Sequence, residues 1–364
     1  MDAEYQPSDF ESETTSLSST IYKGVMENGR RYQTLREGEY WGPSDEQQFE
    51  SYEAGHLACV ILDSNEANPL FQSPHVLDLG TGRGSWAIDV ADIFPEVWPI
   101  ATVRGVDLFP PPVSWLPPNC IMEVDDVLKE WTWRQPFDLI YLRQMIGAFT
   151  IPEWEAIFKQ CYDNLVPGGW IECVERDPRI SCDDGSITEG NSSLFFGKTA
   201  CEAAVNWGRP ITLVHNLKDM MEKAGFVDIH EKVYKWPIGP WPKDPILKEA
   251  GRLHYHQWAT GMEGWAMYLL TKYAVPKPWS KEEVQVLMAK VRKEIRNPRH
   301  HIYQTGKRVW GRKPTAEEVA KKNAVNASTA SQGIKQETTS EVKEEIKSES
   351  ENHHDLGNTI KEEA

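Results

Sequence analysis

The run His75–Asp89, H-V-L-D-L-G-T-G-R-G-S-W-A-I-D, leaves few architectures open to this chain. Val76 to Leu79 fill a short stretch with aliphatic residues and stop at glycine, which predicts a buried strand. Ser85 to Ile93 predict the helix that follows. Gly80, Thr81, Gly82 and Gly84 form the tight turn between them. Glycine there permits positive φ and lets a ligand approach the bare backbone. The new helix presents its free N–H groups to that ligand.

The pattern also narrows the ligand. A dinucleotide fingerprint needs G-x-G-x-x-G, and its third glycine would fall on Ser85. What stands here is D-x-G-x-G-x-G, with Asp78 two residues ahead of the first glycine. An acid at that place repels a pyrophosphate and suits a cationic ligand bearing an amino-acid ammonium, such as S-adenosylmethionine (SAM). The stretch resembles motif I of the seven-stranded SAM-dependent methyltransferases; the alternative is a glycine turn that holds nothing.

The downstream order supports the first reading. Ile100 to Val106 predict a second strand ending in Asp107, where a carboxylate can accept from both ribose hydroxyls. A proline-rich loop leads to strand three, Cys120–Val124, followed by Asp125 and Asp126. An acid there can accept from an adenine amino group; Asp126 is favoured and Asp125 is its rival. Phe137–Leu142 is strand four, Pro152 to Leu165 an amphipathic helix, and Trp170 opens strand five, residues 170–174, after Gly168 and Gly169. Residues 176–212 read as irregular, Leu213 to Ala224 as a helix, and 226–233 as strand six. The last strand, His301 to Trp310, is delayed by helical residues 246–296. The fold class expected is α/β: a doubly wound, Rossmann-like seven-stranded sheet with a helical insertion before the last strand. Ahead of it all, Ser44 or Asp45 can cap a helix to about Asp63, with Phe49, Tyr52, His56, Leu57 and Val60 on one face. That leading segment either lies over the cofactor or merely covers a sheet edge.

Composition sets the limits of the folded body. Residues 1–20 hold five acids and no Lys or Arg, and residues 333–364 hold nine acids and four Lys. Each end carries −5 of the net −16, so the body between them is only mildly acidic. Both ends, 1–20 and 315–364, are expected to be disordered, flanking a catalytic domain over 21–314. The six cysteines show no C-x-x-C spacing, which predicts free thiols in a reducing compartment and no metal site. No apolar run is long enough for a membrane span. The expected location is the nucleus and cytoplasm, without direct membrane insertion.

With these residues in hand, the chain resembles the LaeA-like methyltransferases of filamentous fungi, regulators of secondary metabolism and development. The resemblance rests on N-G-R-R-Y with Tyr40 and P-S-D-E, the glycine-loop run through W-A-I-D, V-D-L with P-P-N, L-V-P-G-G-W-I-E-C-V-E, A-G-F-V-D-I and the closing G-R-K-P, over roughly residues 22–314. It implies a nuclear regulatory methyltransferase. Its partners would be velvet-type proteins, or a second LaeA-like methyltransferase together with a membrane-tethering zinc-finger protein.

Methyl transfer from a sulfonium depends mainly on alignment, worth up to about 7–11 kcal/mol. A base adds about 10²–10⁴-fold for oxygen or amine acceptors. Glu175, His215, His254 and His256 are the candidates, and none is assigned as catalytic. Three readings of function stand: a regulator acting through proteins, a small-molecule O- or N-methyltransferase of a biosynthetic pathway, and a SAM-binding scaffold. The C-terminal tail adds one more feature. Lys335, Lys343, Lys347 and Lys361 each sit in an aliphatic-K-x-E frame, the acceptor pattern for SUMO conjugation. Residues 281–322 hold twelve Lys or Arg against five acids, read as solvated faces of a helix and an edge strand, with nuclear import or contact with nucleic acid as the alternative. No zinc finger or helix-turn-helix signature is present, so sequence-specific DNA binding is not expected.

Overall fold

The structure is a computed structural model that describes residues 19–63, 75–97 and 101–324. Its strands are β1 (Val25–Glu27), β2 (Arg30–Tyr32), β3 (His75–Leu79), β4 (Thr102–Asp107), β5 (Cys120–Val124), β6 (Phe137–Arg143), β7 (Leu165–Cys182), β8 (Val227–Pro237) and β9 (Ile302–Arg312). Its helices are α1 (Ser19–Lys23), α2 (Glu46–Asp63), α3 (Ser85–Val97), α4 (Ile151–Asn164), α5 (Ser192–Trp207), α6 (Leu217–Ala224), α7 (Pro245–Tyr273) and α8 (Lys281–Ile295). Seven strands form one sheet in the order β5-β4-β3-β6-β7-β9-β8. The first five run parallel, while β9 pairs antiparallel with both β7 and β8. The order reverses between β3 and β6, and ligands bind outside the strands' carboxyl ends at such a switch point.

Alternation along the strands divides the core. Leu77 and Leu79 face α4 and α6, packing with Trp154, Phe158 and Met221. Val76 and Val103 face α3, packing with Ala87, Val90 and Ala91. A further core lies within the insertion, where α7 and α8 pack with α5 through Met262, Leu269, Met288 and Val291. None of the six cysteines is in a disulfide.

Several elements differ from expectation, the helix expected from Leu213 among them, since it starts as a 3-10 turn over Leu213–His215 and becomes α6 only at Leu217. The fifth strand does not end at 174 but continues to Cys182, paired with β9 on both sides of an irregularity between Arg176 and Ile180. Residues 192–207, expected to be irregular, form α5, capped by Asn191 and ended by Gly208 at φ +83°. Its buried face is made largely of Gly197, Ala200, Ala203 and Ala204, small residues that leave little hydrophobic periodicity. On α2, Phe49 and His56 are buried as expected, but Leu57 and Val60 are exposed. The packed face is instead small and polar, because α7 crosses at close range. A Cβ on Gly55 would lie 2.3 Å from Gln257 Nε2, and one on Gly261 2.1 Å from Ser51 Oγ.

A second unit begins at Pro314. Its described part is a helix over 316–324, where no fixed structure was expected. T-A-E-E supplies a capping box: Glu318 N–H donates to Thr315 Oγ1 (3.3 Å), and Thr315 N–H to Glu318 Oε2 (2.8 Å). Residues 1–18 and 325–364, with the four tail lysines, lie outside the described residues.

The leading segment is tied down by one carboxylate. Asn28 and Gly29, both at positive φ, turn β1 into β2 and place Arg30 beside α2. Arg30 donates to Asp45 from Nε (2.6 Å) and Nη2 (2.8 Å), while Asp45 Oδ1 accepts from Gln48 N–H (3.0 Å) at the start of α2. Asp45→Ala should therefore cost about 2–4 kcal/mol, the sum of a lost cap and a lost charge-assisted pair. Asp45→Asn, which keeps the cap, should lose about half as much. Denaturant unfolding of the two variants checks the ranking.

Candidate active site

The glycine loop holds its shape through backbone bonds to β4. Gly80 N–H (2.8 Å) and Thr81 N–H (3.0 Å) both donate to Val106 O. Gly80, Gly82 and Gly84 lie at φ +70°, +59° and +88°. Gly80 and Gly84 have no room for a side chain: a Cβ would meet Met145 Sδ at 2.2 Å and Met122 Cε at 2.7 Å. Gly82 differs, because its nearest neighbour would be Tyr52 Cδ2 at 3.6 Å. Its missing side chain leaves backbone bare on the wall of a cavity.

That cavity runs from the carboxyl ends of β3, β4 and β5 to the insertion. Asp78, Gly80, Thr81, Gly82, Asp107, Asp125 and Asp126 all line it, whereas Gly84 lies off the wall. Asp107 Oδ2 accepts from Gly82 N–H (2.8 Å) and Oδ1 from Phe109 N–H (3.4 Å), which aims the carboxylate along the loop. Burial pushes its pKa up against those donors. Asp78 accepts from the Thr81 hydroxyl (2.7 Å), and burial pushes its carboxyl up to about 7. A cationic ligand group beside it would favour the ionised form. Of the two acids after β5, Asp125 is exposed. Asp126 is partly buried, with Oδ1 accepting from Leu128 N–H (3.1 Å) and 4.0 Å from Arg36 Nε.

The leading segment does lie over this end. Tyr40 and Tyr52 line the cavity with their hydroxyls 3.4 Å apart. Burial raises both pKa values, to about 12 for Tyr52, so both keep their protons. Arg36 lines the cavity as well, paired with Glu39 and Glu153, and Arg209 shares Glu153. Tyr40 belongs to a recognisable sequence motif. Arg143, Gln144 and Arg176 also line the cavity, and no sequence signal singled them out.

None of the four base candidates lines the cavity. Glu175 is fully buried and braces the turn after β6, accepting from Met145 N–H (2.6 Å) and Ile146 N–H (3.4 Å). Burial pushes its carboxyl up to about 8, against those donors and nearby Arg176 and Arg143. His215 pairs with Asp177 (2.8 Å), and His256 is an exposed partner of Glu50 (3.0 Å). His254 is buried between Pro237 O and Arg176, and burial pushes its pKa down to about 3.

These residues fit SAM. Bare backbone at Gly82, the Asp107 carboxylate and the polar edge at Asp126 would hold the nucleoside, and Asp78 with the loop would hold the amino-acid end. The cofactor supplies an activated methyl group. The chain's own work is to orient it, to keep water out with the aromatic roof, and to align the acceptor.

Two outcomes follow. Asp107→Ala should raise the Kd for S-adenosylhomocysteine at least tenfold, since a charged hydrogen bond is worth about 1.5–3 kcal/mol; isothermal titration measures it. Glu175 and Asp78 have folded pKa values above their ordinary ones, so their contributions are full at low pH and lost as pH rises towards about 8 and 7. His254, held near 3, acts in the opposite sense but only below its ordinary 6.5. Stability should therefore fall between about pH 6.5 and 8, and Glu175→Gln should make that fall shallower in denaturant titrations.

Comparison with known proteins agrees with the geometry. A methyltransferase-domain family model matches residues 49–231. Methyltransferase pytC of Aspergillus terreus is 35% identical over 306 residues, covering 81% of this chain and 90% of its own. Secondary metabolism regulator LAE1 of Cochliobolus heterostrophus is 32% identical, covering 76% and 91%. Protein-methionine methyltransferase laeA of Emericella nidulans is 30% identical, covering 79% and 76%. The chain belongs to the LaeA-like family of SAM-dependent methyltransferases.

Proposed function

We propose that this methyltransferase acts in secondary metabolism on a small acceptor that enters the cavity whole. One observation carries the reading. Beyond the cofactor end the cavity becomes a chamber walled by Trp41, Phe149, Phe196, Trp258 and Trp265 from the leading segment, the turn after β6, α5 and α7. Aromatic walls of this kind suit a largely apolar guest. With every candidate base engaged elsewhere, catalysis rests on alignment and on an acceptor that brings its own lone pair. The name of the pytC relative, a methyltransferase, agrees with this role.

A second reading is a nuclear regulator working in a protein complex. It is supported by relatives named secondary metabolism regulators and by the aliphatic-K-x-E lysines Lys335, Lys343, Lys347 and Lys361. Velvet-type proteins, or a second methyltransferase with a membrane-tethering zinc-finger protein, would be its partners, and SUMO conjugation of the tail would regulate it. Among the described residues no helix is long and apolar enough to cross a membrane.

Deletion of the gene with metabolite profiling separates the two. A pathway enzyme predicts loss of one metabolite and accumulation of its unmethylated precursor. A regulator predicts simultaneous change in several chemically unrelated metabolites. In either case complementation by wild type but not by Asp107→Ala ties the phenotype to the cofactor site; complementation by both would favour a scaffold role.

A further inference from the structure

Arg176 is 7% exposed and lines the acceptor chamber. Every hydrogen bond it makes is to a neutral group. Nη1 donates to His254 Nε2 (2.6 Å) and Gln257 Oε1 (2.7 Å), and Nη2 donates to Gln144 Oε1 (2.5 Å). The guanidinium also lies over the Trp236 ring, 5.0 Å from its centroid. Among the described residues no carboxylate pairs with it, although Glu175 is its neighbour in sequence and Asp177 the next. Glu175 is turned to the backbone of Met145 and Ile146, and Asp177 to Arg179 and His215. The other buried arginines are treated differently: Arg36 and Arg209 share Glu153, and Arg308 pairs with Glu172.

A buried cation with no carboxylate in contact is costly even with Glu175 acting on it at longer range, and here the surroundings are built to keep it so. His254 donates Nδ1–H to Pro237 O (2.9 Å), which leaves the Nε2 lone pair for Arg176. Gln144 sits at φ +56°, a conformation that non-glycine residues adopt at a cost. Its N–H donates to Val174 O (3.0 Å), and its Oε1 also accepts from Gln257 Nε2 (3.1 Å). A strained residue and three neutral acceptors thus fix the guanidinium at the chamber wall without neutralising it.

We infer that Arg176 receives an anionic oxygen on the methyl acceptor, so that the chamber takes an aromatic or otherwise apolar small molecule carrying a carboxylate, phenolate or enolate. The inference rests on the small-acceptor reading above. It also accords with Glu175, His215, His254 and His256 standing off the cavity wall, since an ionised oxygen needs no base.

Calorimetric titration of the full chain saturated with S-adenosylhomocysteine tests it, using 2-naphthoate and its neutral counterpart 2-naphthamide as probes. Naphthoate should bind at least tenfold more tightly than naphthamide. Arg176→Met should abolish that preference and Arg176→Lys keep part of it, with the Kd for S-adenosylhomocysteine unchanged within twofold. Equal binding of the two probes by the wild type, which needs no variant to be folded, overturns the inference, as does a preference that survives Arg176→Met. If S-adenosylhomocysteine binds but neither probe does, the small-acceptor reading falls and the inference with it.

Discussion

The site depends on how closely α2 and α7 cross. The two helices belong to segments far apart in sequence, one ahead of the glycine loop and one in the insertion before the last strand. Their approach is possible because glycine stands where any side chain would collide: Gly55 against Gln257, Gly261 against Ser51, and Gly264 against the Arg30 guanidinium. Arg30 in turn holds Asp45, the cap of α2. Helix start, helix crossing and roof are thus one mechanical unit. Without that crossing the carboxyl ends of β3, β4 and β5 would open on solvent. With it, Tyr52 from α2 and Trp258 and Trp265 from α7 close over them.

Charges of both signs line the enclosed space. Asp78, Asp107, Asp125 and Asp126 gather at the strand ends, with Arg143 acting on Asp78 and Arg36 standing 4.0 Å from Asp126, and Arg176 also lines the wall. A water-poor enclosure strengthens such fields relative to solvent. A sulfonium is favoured beside the acids. The acids thus do part of the orienting for a reaction whose barrier falls chiefly through alignment. Histidines and glutamate that are plausible bases on paper are used structurally: His254 as a neutral acceptor, Glu175 as a clamp on the turn that carries Gln144 and Met145.

What could be read from the sequence was local. The strand, glycine loop and helix of β3 and α3 announce themselves within fifteen residues, and Asp107, Asp125 and Asp126 follow because strand ends are punctuated. The insertion was legible as helices rich in His and Trp. What stayed hidden depends on neighbours remote in sequence. The buried faces of α2 and α5 are built from small or polar residues, so periodicity pointed to Leu57 and Val60, which are exposed. The extension of β7 to Cys182 comes from pairing with β9, more than a hundred residues away. Arg176 looks like any charged residue after a strand until its neighbours prove to be amides and an imidazole. The helix over 316–324 is a different case, since its T-A-E-E box was visible but lay in a stretch dominated by tail composition.

A crystal structure of the full chain with S-adenosylhomocysteine bound tests the central claim most directly. The account predicts ribose hydroxyls on Asp107, the amino-acid end beside Asp78 and Gly80, and the sulfur facing a chamber still closed by α2 and α7. A ligand lying with its sulfur turned to solvent, or an α7 displaced so that the chamber becomes an open cleft, would contradict it.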